Sequence, residues 1–158
     1  MGLRDMRHFR LFSLAVLIIT LGSFGCGTLQ STQPSLLEVE GELLERPEPP
    51  EEFADMVNPL AGDAQAIEEG AKLYQANCSS CHGVTGQGDG PAAGGLEPKP
   101  RNLAMEQSLL DDSYLFWRIS EGGLMEPFRS VMPAWKGLLS EEHIWQIISF
   151  LRTLSPQQ

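Results

Sequence analysis

The sequence predicts an all-α domain over residues 63–158, preceded by an N-terminal export segment and an extended linker. Three observations lead there. Three segments between Asp63 and Leu154 repeat apolar residues at the three-and-four spacing of a helix. No segment shows the strict apolar–polar alternation of a half-buried strand. One short element, Cys78-Ser79-Ser80-Cys81-His82, lies directly after the first of these segments.

The chain opens with Arg4, Arg7 and Arg10, followed by a mostly apolar run from Leu11 to Phe24. A positive start, a short apolar stretch and small residues at its end form a secretory signal, here residues 1–25. The run is shorter than the ~20 residues a helix needs to span a bilayer. Cys26 follows Gly25 directly. This junction resembles the end of a bacterial lipoprotein signal, in which the cysteine carries the lipid and becomes the mature N-terminus. Ser23 stands where that pattern usually has leucine. An uncleaved anchor and ordinary cleavage nearby are the alternatives. Two or more acyl chains would anchor the protein durably, as a single chain does not.

Residues 26–62 form the expected linker. They contain Pro34, Pro47, Pro49, Pro50 and Pro59, and eight acids against one base, Arg46. Such a composition favours an extended, solvated chain. About 35 residues reach at most ~120 Å. Leu36–Leu44 is the one stretch that could dock or form a helical turn.

Helical patterning begins after Asp63, a good N-cap, with Ile67, Gly70, Ala71 and Tyr74 placing a helix over about 64–77. Asp111 or Asp112 caps a second helix bearing Leu115, Phe116 and Ile119, which Gly122-Gly123 ends. Ser140 caps a third, with Glu141 and Glu142 against the positive end of its dipole. Its apolar stripe is Ile144, Ile147, Ile148 and Leu151, and Pro156 stops it.

A formal charge of −10 excludes the basic stripe that nucleic acid requires. It also argues against adhesion to anionic headgroups. Without Arg4, Arg7, Arg10 and Asp5 of the signal, 8 bases and 20 acids remain, a net of −12. Docking partners with basic surfaces fit that charge, although acidity also serves solubility.

Cys78, Cys81 and His82 form the C-x-x-C-H pattern of covalent haem attachment. Two thiols must each add to one of two vinyl groups on a single macrocycle. Two intervening residues place both sulfurs along one edge, and the next residue offers its imidazole to the iron. One such motif means one covalent haem (heme c). A redox dithiol needs no histidine. A zinc site needs further ligands, and the domain's other histidine, His143, sits at the polar start of the last helix as a surface or capping residue. His8 belongs to the export segment. The glycine-punctuated stretch from Gly83 to Asn102 lacks the Gly-Lys-Ser/Thr ending of a phosphate loop.

From Asp63 to Leu154 the chain resembles a class I cytochrome c domain, all-helical around one haem. Gly70 and Tyr74 with Ile147, Phe150 and Leu151 resemble that family's crossing of first and last helices. Val-Met-Pro-Ala-Trp resembles its ligand loop. The resemblance implies Met132 as the second axial ligand, with Met125 the competitor and Met105 a weaker one. It implies a proline carbonyl accepting the His82 Nδ1 proton, Pro100 first and Pro98 second. Arg101 is a candidate for a haem propionate, and Trp117 and Trp135 for packing on haem.

These features imply a one-electron relay rather than an enzyme, since Met132 would fill the position a haem peroxidase keeps open. A sensor is a further alternative. The expected partners are a membrane quinol-oxidising complex and a downstream redox protein, met at the outer face of a membrane. The layout most resembles the monohaem lipoprotein cytochrome subunit of bacterial alternative complex III. A free-standing donor to an oxidase or photosynthetic reaction centre uses the same parts.

Overall fold

The structure, a computed structural model, describes residues 46–156. The export segment, His8, Cys26 and the linker as far as residue 45 lie outside the described residues. Among the described residues five helices follow one another: α1 (Ala64–Asn77), α2 (Ser79–His82), α3 (Leu103–Glu106), α4 (Asp112–Glu121) and α5 (Glu141–Leu151). Among the described residues there is no strand, only an isolated bridge between Lys136 and Leu139. No helix among them is long and apolar enough to cross a membrane.

The three long helices start where their capping residues place them. The Asp63 carboxylate accepts from the Ala66 amide at 2.8 Å, closing the start of α1. At α5 the Ser140 hydroxyl accepts from the His143 amide, while the His143 ring takes the Ser140 amide in return. His143 thus fills the place that Glu or Gln holds in most capping boxes. It is a capping residue, as expected. Asp111 occupies the N-cap of α4 without a side-chain cap bond, and Gly122 at φ 71° ends that helix. α5 ends at Leu151, ahead of Pro156, and two further turns close behind it.

The core forms where α1, α4 and α5 meet. Tyr74, Leu115, Phe116, Ile119, Ile144, Trp145, Ile147, Ile148 and Leu151 make one buried cluster. α1 and α5 approach backbone to backbone. A Cβ on Gly70 would lie 1.9 Å from the Gln146 carbonyl oxygen. Beside that contact the rings of Tyr74 and Phe150 sit 5.2 Å apart. Phe116 of α4 packs on Trp145 of α5 at 4.3 Å. Arg152, just past α5, ties back to α4 through Asp112 Oδ1 and the Leu110 carbonyl.

The expected linker boundary at residue 62 is corrected. Residues 46–62 are a strap folded onto the helices. Phe53 closes a turn on the Pro50 carbonyl and brings its ring to 6.3 Å from Phe116. Met56 and Leu60 pack on the same cluster. Asn58 is 4% exposed, and its Nδ2 donates to the Trp145 carbonyl and to Ser149 Oγ. The prolines forbid helix and strand here, yet they favour tight turns. Those turns space Phe53, Met56 and Leu60 so that all three reach the core. Asn58→Leu keeps the shape and removes the bonds, stranding buried acceptors. It should lower stability by about 2 kcal/mol, read as a lower urea midpoint with earlier proteolysis inside 46–62. An unchanged midpoint would mean the strap is not part of the cooperative unit.

Candidate haem-binding site

α1 delivers the motif. Cys78 ends α1, with its amide on the Tyr74 carbonyl, and at once begins the single turn of α2. Residues three and four apart share a helix face, so Cys78, Cys81 and His82 gather on one side of that turn. Both cysteines are free thiols. Burial, with Cys81 beside it, pushes the Cys78 thiol up to about 12. This is away from the thiolate that a reactive dithiol uses. Burial pushes His82 down, against the opposing pull of the Arg101 carbonyl and the Glu106 charge. The ring is therefore neutral, the state in which Nε2 can bind iron.

The glycine-rich loop folds back over the motif. Gly88 donates its amide to the His82 carbonyl, Gly90 to Cys81 and Ala92 to Ser80. These contacts leave no space for side chains. A Cβ on Gly90 would stand 2.3 Å from the Ser80 carbonyl oxygen, and one on Gly88 2.3 Å from that of Pro100. Behind the motif the buried Tyr74 hydroxyl donates to the Gly83 carbonyl at 2.8 Å.

His82 Nδ1 lies 3.1 Å from the carbonyl of Arg101, not that of Pro100 or Pro98. This corrects the expected acceptor by one residue. The Pro100 carbonyl is turned onto Gly88, and the following peptide faces the imidazole. Such a bond fixes the tautomer and aims Nε2 at a metal. The side chain of Arg101, a candidate for a propionate, is engaged by Glu106 Oε1 at 2.6 to 2.7 Å.

Met132 is half-buried and packs against the core cluster, whereas Met125 is not among the residues doing so. Its loop is pinned to the end of α4. Gly123 donates to the Met132 carbonyl, and Ser130 donates to that of Gly123. Trp135, also against the core, donates its amide to the carbonyls of Ile119 and Ser120. Met105 is buried within α3. Trp117 is 5% exposed and meets Tyr114 and Phe128 edge-on, each at 5.6 Å.

Arg118, Glu106 and Arg46 were not singled out from the sequence. The Arg118 guanidinium lies 3.4 Å over the Phe128 ring, and its Nη1 is buried with no hydrogen-bond partner. A buried guanidinium donor calls for an anion. Haem brings two carboxylates, so this donor fits the group, as do the two thiols and the neutral imidazole. The sequence signal for Arg118 was a lone base beside the apolar face of α4.

A helical shell, a C-x-x-C-H turn and a half-buried methionine loop define a c-type cytochrome domain. A protein-family model described as cytochrome c oxidase, cbb3-type, subunit III matches residues 65–151, more than half of the chain, and the chain belongs to that cytochrome c family. Cytochrome c-554(547) of Halothiobacillus neapolitanus is 31% identical over 96 residues, covering 60% of this chain and 99% of the relative. Cytochrome c550 of Pseudomonas aeruginosa is 30% identical over 96 residues, covering 61% of each chain. Quinohemoprotein alcohol dehydrogenase ADH-IIG of Pseudomonas putida is 32% identical over 93 residues, covering 58% of this chain and 11% of the enzyme. The chain thus spans 61% of the cytochrome c550 and a small part of the dehydrogenase. Among solved structures, the Kuenenia stuttgartiensis reducing HAO-like protein complex superposes with a TM-score of 0.52 at 23% identity, over 74% of this chain and 55% of the other, a likeness of fold. Cytochrome cL of Methylophaga aminisulfidivorans gives 0.48 at 26% identity, over 69% of each chain. Residues 65–151 thus form a domain of the cytochrome c family.

Proposed function

We propose that the protein moves single electrons through one covalent haem at the outer face of a membrane. The observation that carries this reading is the α2 turn, which presents two thiols and a neutral imidazole on one face. When bound, haem supplies a one-electron iron couple. Cys78 and Cys81 would hold it as thioethers, and His82 and Met132 would ligate the iron. The Arg101 carbonyl keeps the proton on His82 Nδ1, so that Nε2 is the free donor. Arg118 Nη1 would meet a propionate. A methionine ligand raises the potential and closes the iron against oxygen and peroxide.

Lipid on Cys26 and the segment between it and the strap would keep the domain near the membrane, raising its effective concentration there. The donor in this reading is a quinol-oxidising complex, with the protein as a subunit similar to that of alternative complex III. The acceptor is a downstream redox protein. The match to a stretch of a much larger dehydrogenase supports service within an oxidoreductase assembly. Membrane extraction followed by co-purification tests the reading. Retention in the membrane with a quinol-oxidising complex is expected. A soluble protein with an unmodified Cys26 would refute the anchor, and isolation from detergent as a single chain would refute the fixed-subunit role in favour of a free-standing donor.

A further inference from the structure

Glu106 is 3% exposed, yet nothing in haem attachment or ligation calls for a buried carboxylate at this place. It joins two arginines, one at each carboxylate oxygen. Oε1 takes the Nε and Nη2 of Arg101 at 2.7 and 2.6 Å. Oε2 takes Arg46 Nη2 at 2.8 Å, across a sequence separation of 60 residues. Arg101 is the residue whose carbonyl receives His82 Nδ1. Its backbone belongs to the same short unit as Glu106, since Glu106 donates its amide to the Asn102 carbonyl and Asn102 caps Met105. Arg46 is the outermost described residue of the strap. Its side chain is 13% exposed and lies over the Tyr114 ring at 5.8 Å.

We infer that Glu106 is a positioning residue for the haem ligand His82, and that Arg46 of the strap sets how much of the Glu106 charge the haem iron feels. The inference rests on haem being held at Cys78, Cys81 and His82. Two charge-assisted bonds to Glu106 Oε1 hold the Arg101 side chain, and with it the peptide that orients His82. Hydrogen bonding behind a metal-bound histidine tunes the metal. A buried charge in a low-dielectric interior also acts over a longer range than one in water. A nearby negative charge favours ferric iron, and a positive one favours ferrous. With both arginines in place the cluster is net positive. Removing Arg46 leaves it neutral; removing the Glu106 charge leaves two cations and loosens the peptide behind His82.

The two losses therefore push the midpoint potential in opposite directions, which a merely structural cluster would not do. Redox titration of the holoprotein reads them. Arg46→Gln should lower the ferrous-to-ferric ratio at a fixed potential by up to about tenfold, ~59 mV for a one-electron couple. Glu106→Gln should raise it, and Arg46→Lys should restore most of the native value. Haem content, measured on each variant by the pyridine haemochrome spectrum, separates loss of haem from an unmoved potential. Where Glu106→Gln does not fold, the two Arg46 variants decide the sign. Shifts of the same sense in Arg46→Gln and Glu106→Gln, or an unmoved potential in Arg46→Gln with full haem content, would overturn the inference.

Discussion

Gly70→Ala should destabilise the domain by about 3 kcal/mol, the upper part of the range for overpacked interiors. The new methyl carbon would lie 1.9 Å from the Gln146 carbonyl oxygen. That neighbour is backbone in the middle of α5, so no side chain can swing aside. The helices must separate, and the separation opens the contacts of Tyr74, Phe150 and Ile147 beside it. At a urea slope of roughly 1–3 kcal/mol/M the midpoint falls by about 1 M or more. Gly94→Ala is the control, because a Cβ there meets nothing within 4 Å. It should leave the midpoint unchanged or slightly raised. An unchanged midpoint in Gly70→Ala would mean that α1 and α5 do not cross here.

Met132→Ala should convert a closed haem into an open one. The covalent links through Cys78 and Cys81 and the His82 bond remain, so haem content holds. Three changes follow together. The far-red methionine-to-iron band of the ferric protein disappears. The ferrous variant should bind one carbon monoxide per haem, where the parent protein is expected to resist it. The midpoint potential drops by on the order of 0.2 V, within the ~0.8 V span that axial ligands command. A variant that kept its far-red band would move the ligand assignment to Met125.

Much of the fold was legible because its signals are local. Asp63 and Ser140 cap within three residues of their partners. The stripes of α1, α4 and α5 repeat at helical spacing, so helix starts and buried faces agree with the sequence reading. The C-x-x-C-H motif was legible for a stricter reason: covalent haem attachment demands those residue types at fixed spacing within five residues. What escaped depends on distance along the chain. Arg46 was one base among acids in a Pro-rich stretch, and its carboxylate partner lies 60 residues away. Phe53, Met56 and Leu60 recur at three and four, but the pattern is short and lies between Pro50 and Pro59. The acceptor for His82 was placed one residue early, because spacing names the segment and packing against Gly88 decides which carbonyl turns inward. Arg118 needed a view of Phe128 and of its own unpartnered nitrogen.

All of the proposed chemistry depends on one covalent haem per chain at Cys78 and Cys81. The direct measurement is the pyridine haemochrome spectrum of the denatured, acid-acetone-extracted polypeptide, counted against protein concentration. The expected result is a c-type spectrum with one haem retained per chain. Haem that extracts into the solvent, no haem, or more than one per chain would contradict it.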